Sequence, residues 1–181
     1  MLIIIKLIND KFKSKYRTSS LRLQNYDYRN NGIYYITICT HKKKSLFGDI
    51  VNNKMQYSAI GKIAHKCWLE IPEHFPFVYL DDWVIMPNHL HGILSFKKDN
   101  NIGFDLVKLQ SQSLASIIRG FKIGVTKYAR LNTNISNVWQ ARFYDHIIMT
   151  EDSLSNIRQY IKNNPLIWSQ DKYNTNSCRD G

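Results

Sequence analysis

Hydrophobic and polar positions alternate along several short stretches of the chain, and this alternation predicts β-strands. GIYYITICT (32–40) alternates on a β-branched and aromatic background, which is typical of a half-buried strand. Residues 45–58 predict two short strands around an Asn-Asn turn, since asparagine tolerates the positive φ of a tight hairpin. FVYLDDWVIMP and HLHGILSF predict a strand pair interrupted at Pro87, and ARFYDHIIM (141–149) predicts another strand.

Three other stretches repeat hydrophobic residues every three or four positions, which predicts amphipathic helices over residues 58–75, 113–130 and 151–164. The first begins at a Ser58 cap, and we expect its buried face to carry Ile60, Ile63, Ala64, Cys67 and Ile71. Residues 97–112 predict a loop. The order β-β-β-α-β-β-α-β-α indicates an α+β fold, one antiparallel sheet with helices packed against it.

Size and charge narrow the class of protein. A chain of 181 residues with 44% hydrophobic content suits one soluble domain with a single core. The formal net charge of +11 favours polyanions such as nucleic acid. The three cysteines lie far apart with no C-x-x-C pair, which indicates neither a disulfide framework nor a zinc knuckle and fits the cytoplasm. Neither a convincing signal peptide nor a membrane-spanning stretch occurs, so no membrane partner is expected.

Two histidines one residue apart interrupt the apolar run WVIMPNHLHGILSF (83–96). Side chains at i and i+2 of a strand leave the same face, with Cα atoms about 6.6 Å apart. His89 and His91 can therefore supply half of a metal site. The H-x-H pattern is a weak signal by itself, because hydrogen-bonded histidines within a sheet are more common, and a metal needs a third ligand.

The last predicted helix offers that ligand. Tyr160 and Asn164 in QYIKNNP lie one helical turn apart, at the edge of the buried stripe. If this edge lies beside the histidine strand, the Asn164 carbonyl could complete the site and the Tyr160 hydroxyl could reach whatever the metal holds. From the pattern alone, Tyr160 could equally be a tyrosine flanking the core, and Asn164 could be a C-cap before Pro165.

Five segments of the chain, in this order, are SLRLQNYDYRNNGIYYITICTHKKKSLFG, VIMPNHLHGIL, IIRGFK, VWQARFYDHII and IRQYIKNNPLIW. Together they resemble the HUH single-tyrosine transposases, most closely the REP-associated tyrosine transposases. The resemblance implies an antiparallel sheet of RRM-like or ferredoxin-like topology with helices packed on it. The resemblance spans residues 17–168, which we expect to form a single domain. A basic N-terminal arm that need not be ordered (1–16) and a polar C-terminal tail (169–181) remain outside it.

The resemblance also assigns roles by position. His89 and His91 match the paired histidines that bind the catalytic divalent metal, and Tyr160 matches the nucleophilic tyrosine. Asn164 stands where the family supplies an amide as third ligand, although related insertion-sequence enzymes more often have glutamine there. The expected metal is Mg²⁺ or Mn²⁺, and two imidazoles favour the softer Mn²⁺. No small-molecule cofactor is expected.

Tyr144 is the best competitor for the role of nucleophile. It stands on a predicted strand, and His146 two residues later points to the same face. The match to the family favours Tyr160.

The implied reaction is cleavage and rejoining of single-stranded DNA at palindromic hairpins through a 5′-phosphotyrosine. In the family, these hairpins are repetitive extragenic palindromes. The alternative is a domesticated protein that binds DNA hairpins without active transposition. A zinc hydrolase would need a carboxylate or a third histidine, and neither occurs at a recognisable spacing. The resemblance favours a monomer over a dimer.

Basic residues outside the histidine and tyrosine motifs are expected to contact DNA. Phosphate contacts from such residues supply affinity without sequence information. We expect them from the arm, from the loop after the first strand and from the second long helix, at Lys13, Lys15, Arg17, Lys42, Lys43, Lys44, Arg119 and Lys122.

Overall fold

A computed structural model describes residues 27–98 and 112–174. The strands are β1 (Gly32–Cys39), β2 (Gly48–Val51), β3 (Lys54–Tyr57), β4 (Val78–Met86), β5 (His89–Phe96) and β6 (Tyr144–Ile148). The helices are α1 (Ala59–Leu69), a short α2 (Ile71–His74), α3 (Leu114–Asn132) and α4 (Glu151–Asn163), with 3₁₀ turns at His41–Lys43 and Asn164–Gln170. The predicted arm (1–16) and most of the predicted loop (97–112) lie outside the described residues.

Four strands form one antiparallel sheet in the order β4-β5-β1-β6, and β2 and β3 form a separate two-stranded hairpin. The expectation of a single sheet therefore holds for the main sheet but not for the hairpin. Asn52 and Asn53 form the hairpin turn with φ of 50° and 59°, as the sequence predicted. The Phe47 carbonyl, just before β2, accepts from the Ser58 amide at 2.8 Å, which ties the hairpin to the start of α1.

The topology of the main sheet is ferredoxin-like. With the hairpin and the short α2 set aside, the chain runs β1-α1-β4-β5-α3-β6, with β1 and β5 at the centre of the sheet. The α+β class and the RRM-like arrangement are confirmed.

The helices begin at capping side chains that accept a backbone N–H. Ser58 accepts from the Gly61 amide at 3.0 Å, and Ser113 accepts from the Ser116 amide at 3.2 Å. Thr150 plays the same part for α4. Each cap satisfies one of the N–H groups that the first turn of a helix leaves without a partner. No helix among the described residues is long and apolar enough to cross a membrane.

One face of the sheet, here called the closed face, is covered by α1 and α3. It carries the apolar alternate residues of the two central strands, Tyr34, Ile36, Ile38, Leu90 and Leu94. Trp68 of α1 is fully buried there, whereas Ile63 and Cys67 are only partly buried, which corrects the predicted buried face of this helix. The reason is Gly92, which leaves room for the indole: a Cβ at Gly92 would lie 2.5 Å from Trp68 Cζ2.

The opposite face, here called the site face, is covered by α4. Leu154, Ile157 and Ile161 of α4 pack with Tyr35 and Ile93 of the central strands in a second, smaller cluster. Thr37 of β1 pairs with His91 of β5, and paired residues of antiparallel strands project to the same side. The site face therefore carries both histidines.

Candidate active site

Strand geometry places the imidazoles of His89 and His91 side by side on the site face. Their ring centroids lie 4.6 Å apart, and the two side chains are 0% and 1% exposed. Leu90 between them points into the closed face. The i, i+2 spacing therefore brings two imidazoles together in a buried position, as the sequence predicted.

Helix α4 brings Tyr160 to this pair. The Tyr160 hydroxyl lies 3.4 Å from Nε2 of His91. On the other side of the same ring, Nδ1 lies 2.8 Å from the hydroxyls of both Tyr35 and Thr37. Because hydroxyls both donate and accept, these contacts orient the His91 ring without specifying its tautomer.

Asn164 lies directly after α4 and is fully buried. It follows Tyr160 by one helical turn. Its amide opposes the larger effect of burial on two neighbours, raising the pKa of His89 and lowering the pKa of Tyr160. Neither amide atom makes a hydrogen bond of good geometry with another described group. The structure therefore brings all four predicted residues, His89, His91, Tyr160 and Asn164, into one site.

Burial dominates the electrostatics of this site. Desolvation lowers the pKa of His89 to about 3 and lowers the pKa of His91 well below its ordinary value. Both imidazoles are therefore neutral at pH 7 and keep a lone pair for a ligand. Burial raises the pKa of Tyr160, and the nearby Asn164 amide acts in the opposite direction. The Tyr160 hydroxyl is therefore protonated in the absence of a neighbouring cation.

The donor atoms fit a divalent metal. Nε2 of His89 and both amide atoms of Asn164 are buried without a hydrogen-bond partner among the described groups, and a buried polar atom without a partner costs about 1–3 kcal/mol. No cluster of three His, Cys, Asp or Glu side chains occurs within residues 27–98 and 112–174. A third protein ligand from these residues would be of another type, and the Asn164 carbonyl oxygen is suitable for Mg²⁺ or Mn²⁺.

The sequence reasoning missed several neighbours of the histidines. The Tyr173 ring lies 4.5 Å from the His89 ring and 5.9 Å from the His91 ring, and the Trp168 ring lies 6.0 Å from His89. Tyr173 belongs to the segment assigned to a polar tail, and no pattern in the sequence pointed to it. Tyr35 and Thr37 could have been found, because alternation along β1 places them on one face of a strand that pairs with β5.

The predicted DNA-binding residues are distributed over three places. Lys42 and Lys44 are exposed at the end of β1, and Lys43 beside them extends Nζ to 5.1 Å from the centre of the Tyr173 ring. Arg119 is exposed on α3, on the closed-face side of the sheet. Lys122 of α3 is partly buried and donates to backbone carbonyls of residues 140 and 142. Lys13, Lys15 and Arg17 lie outside the described residues.

A further lysine near the histidines was not predicted. Lys172 Nζ also lies 5.1 Å from the Tyr173 ring centre, and desolvation lowers its pKa. No carboxylate of the described residues lies within 4 Å of Nζ of Lys43 or Lys172. These two cations therefore stand beside the site without a close anionic partner in the described part of the chain.

The competing pair, Tyr144 and His146, lies on β6 at the edge of the sheet. Tyr144 is on the site face, where its ring lies 6.2 Å from that of Tyr35, and it packs in the same cluster as Tyr160. His146 pairs with Tyr35 in the register and is exposed. Of the two candidate nucleophiles, Tyr160 has a described hydroxyl contact to the paired histidines and Tyr144 has none among the described residues.

Comparisons with known proteins agree with this architecture. The chain is 46% identical over 163 residues to an uncharacterized protein of Haemophilus influenzae, a match that spans 84% of this chain and 91% of the relative. It is 27% identical over 151 residues to a protein of the same organism provisionally named a REP-associated tyrosine transposase, spanning 80% and 77% of the two chains. No family model matches the chain.

A solved structure has the same fold. It is that of a REP-associated tyrosine transposase bound to a REP hairpin, with a TM-score of 0.59 and 19% identity over 88% of this chain and 76% of that one. The fold and the named relative confirm the resemblance to the REP-associated tyrosine transposases. The chain belongs to the same family as the 46% identical protein of Haemophilus influenzae.

Proposed function

We propose that the protein is a metal-dependent, single-tyrosine DNA transposase of the HUH type, which cleaves and rejoins single-stranded DNA at palindromic hairpins. The observation that carries the proposal is the contact of 3.4 Å between the Tyr160 hydroxyl and Nε2 of His91, within a buried site that also holds His89 and Asn164. The solved relative that shares the fold is bound to a REP hairpin, which supports a similar DNA partner for this chain.

His89, His91 and Asn164 would hold the metal, which is Mn²⁺ or Mg²⁺. When bound, the metal would neutralise phosphate charge and stabilise the leaving oxygen. The neutral imidazoles keep the lone pairs that binding requires, and their burial keeps competing protons away. Nε2 of His91 cannot bind a metal and also accept the Tyr160 proton, so another group or a water molecule must accept this proton.

Tyr160 supplies the nucleophile. Its oxygen forms a bond to the scissile phosphorus while the bond from phosphorus to the 3′ oxygen breaks, and the 3′ oxygen takes up a proton. The products are a 5′-phosphotyrosine and a 3′-hydroxyl. Because no water is consumed, the covalent link can be attacked by another 3′-hydroxyl, and the reaction is strand transfer rather than hydrolysis.

Cations beside the site support an anionic substrate. Lys43, which the sequence predicted as a DNA contact, and Lys172 both flank the Tyr173 ring next to the histidines. A bound phosphodiester would give these lysines the anionic partner that the described residues do not place within 4 Å. Lys42 and Lys44 would extend the same basic surface along the DNA. We further propose that the protein acts as a monomer, without a small-molecule cofactor, in the cytoplasm.

The proposal is tested by trapping the covalent intermediate. The protein is incubated with Mn²⁺ and a single-stranded oligonucleotide that carries a palindromic hairpin from DNA flanking its gene. We expect an adduct that survives denaturation, joins the 5′ side of the break to the protein and maps to the peptide containing Tyr160. Tyr160→Phe should abolish it by removing only the hydroxyl. His89→Ala should abolish it by removing a metal ligand.

Tyr144→Phe is the matched control, because it removes the hydroxyl of another tyrosine on the site face. It should keep the adduct, and all three variants should still bind the hairpin. An adduct that persists in Tyr160→Phe and disappears in Tyr144→Phe would overturn the assignment. Hairpin binding without any adduct in the wild-type protein would favour the domesticated binding protein.

A further inference from the structure

Asn88 stands immediately before β5 and is only 1% exposed. Its Nδ2 donates to the backbone carbonyls of Lys43, at 3.0 Å, and Tyr173, at 2.6 Å. Carbonyl oxygens only accept hydrogen bonds, so the NH₂ side of the amide must face them. The orientation of the Asn88 amide is therefore determined, and Oδ1 points the other way.

Oδ1 of Asn88 lies 2.9 Å from Nδ1 of His89. An amide oxygen only accepts, so Nδ1 must carry the hydrogen of this contact. In a neutral imidazole the other nitrogen then has a free lone pair. Nε2 of His89 is that nitrogen, and it is buried without a hydrogen-bond partner among the described groups. His91 differs, because its Nδ1 faces two hydroxyls that accept either tautomer.

We propose that Asn88 is a positioning residue that holds His89 in the Nδ1–H tautomer and so presents Nε2 as the metal-binding nitrogen. The inference rests on the proposed function and gives a role to a residue to which the match to the family assigned none. A hydrogen bond to the second nitrogen of a metal-binding histidine fixes the orientation of the ring and raises its basicity. Asn88 itself is held in place, because its backbone carbonyl accepts from the Thr40 amide at 2.9 Å and the Thr40 hydroxyl at 3.0 Å.

The same amide connects the histidine to two flanking segments. Through Nδ2 it joins the basic turn at Lys43 to the segment that carries Tyr173. The Tyr173 ring packs against both histidine rings, and each of the two segments brings a lysine to that ring. Loss of the amide should therefore disturb the metal ligand and its surroundings together, whereas loss of the NH₂ group alone should spare the ligand.

The experiment compares Asn88→Ala with Asn88→Asp. The aspartate carboxylate still accepts from Nδ1 of His89 but cannot donate to the two carbonyls. The first measurement is the histidine tautomer in the metal-free protein, by ¹⁵N NMR, with the His89 signals assigned through their loss in His89→Gln. We expect the Nδ1–H tautomer in the wild-type protein and in Asn88→Asp, and a mixture of tautomers in Asn88→Ala.

The second measurement is Mn²⁺ affinity without DNA, by calorimetry. We expect Asn88→Ala to weaken binding by about 10–100-fold and Asn88→Asp to bind within a few-fold of the wild-type protein. Asn31→Ala is the control, since Asn31 likewise exchanges two hydrogen bonds with a backbone, that of Lys98, but lies at the other end of β1. It should leave both measurements unchanged.

The outcomes separate this inference from the proposed function. An Nε2–H tautomer of His89 in the wild-type protein would overturn the role of Asn88, and so would unchanged Mn²⁺ affinity in Asn88→Ala. Equal loss of affinity in Asn88→Ala and Asn88→Asp would assign Asn88 a structural role and overturn the positioning role. If the wild-type protein binds no Mn²⁺, the metal-dependent function fails, while the NMR measurement still decides the tautomer.

Discussion

The two faces of the main sheet are built from alternate residues of the same strands, yet they are held in different ways. The closed face is covered by two helices over apolar side chains, with Trp68 packed against Gly92. The site face is covered by one helix, and polar groups, among them Thr37, His89 and His91, take the place of part of the apolar core. Gly92 and His91 are neighbours in sequence that belong to opposite faces.

This difference indicates that the closed face contributes most of the stability and that the site face carries the chemical groups. Burial of apolar area stabilises a fold roughly in proportion to that area. The closed face therefore supplies most of the hydrophobic contribution to the free energy of unfolding. The buried polar groups of the site face cost free energy unless they are hydrogen-bonded or bind a ligand. We therefore expect substitutions on the closed face to change unfolding and substitutions on the site face to change DNA cleavage.

The largest expected contrast is between Trp68→Ala and Tyr160→Phe. Trp68→Ala leaves a large cavity and should lower the free energy of unfolding by about 3–5 kcal/mol. Tyr160→Phe removes one hydroxyl and should change the free energy of unfolding by about 1 kcal/mol or less, while DNA cleavage falls below detection. Urea unfolding and the adduct assay measure the two effects. Normal adduct formation in Tyr160→Phe would contradict the assignment of cleavage to the site face.

Gly92→Ala tests whether the two faces are independent, because Gly92 follows His91 in the sequence but belongs to the closed face. The added Cβ would overlap the Trp68 ring, and overpacking of this kind costs about 1–3 kcal/mol. At a temperature where the variant is folded, its cleavage rate should stay within a few-fold of the wild-type rate. A larger loss in the folded variant would show that the two faces are not independent.

The buried histidines should make stability depend on pH. Histidine in an unfolded chain takes up a proton at about pH 6.5. In the folded protein, burial lowers the pKa of His89 to about 3. Between these values the unfolded state binds more protons, so stability is full above about pH 6.5 and falls with decreasing pH, by up to about 1.4 kcal/mol per pH unit for each such histidine.

Urea unfolding of the metal-free protein at pH 7.5, 6.5 and 5.5 measures this dependence. His89→Gln should flatten it. His74→Gln is the control, because His74 is exposed on α2. A wild-type slope that survives in His89→Gln would assign the dependence to other groups.

The smallest expected effect concerns the cations at the edge of the site face. If Lys43 and Lys172 contact phosphates, each alanine variant should weaken hairpin binding and reduce the log–log salt slope by about 0.7 for a single strand or 0.9 for a duplex. Lys66→Ala is the control, since Lys66 is an exposed lysine of α1, 3.6 Å from Glu70. Slopes equal to the wild-type value in all three variants would remove both lysines from the DNA contact.

The elements were predictable because they depend on local patterns. Alternation along residues 32–40 and the turn at Asn52 and Asn53 were enough for β1 and the hairpin. The i, i+2 spacing of His89 and His91 was enough to place both on one face. The choice of Trp68 instead of Cys67 for the core was not predictable, because it depends on the space above Gly92 in another element.

The site was predictable only in part. The resemblance to a family singled out Tyr160 and Asn164, and the structure brings them to the histidines, but their chemical roles remain predictions. Tyr173 lies after the segment that resembles the family, and its approach to both histidine rings follows from the path of the chain after α4. The network of Asn88 likewise joins residues that are 45 and 85 positions away in the sequence.

The sequence by itself determined the strands, the three longer helices, their order and the face on which each strand residue lies, because these follow from periodicity within a few neighbouring residues. It did not predict that the stretch 58–75 divides into α1 and the short α2. Tertiary structure decided which helix covers which face, which ring faces which nitrogen, and which buried polar atoms are left without a partner. Those features depend on distances between residues far apart in the chain. A hydrogen bond needs its two atoms within about 3 Å, and only the folded chain brings the Asn88 amide to the backbone carbonyls of Lys43 and Tyr173.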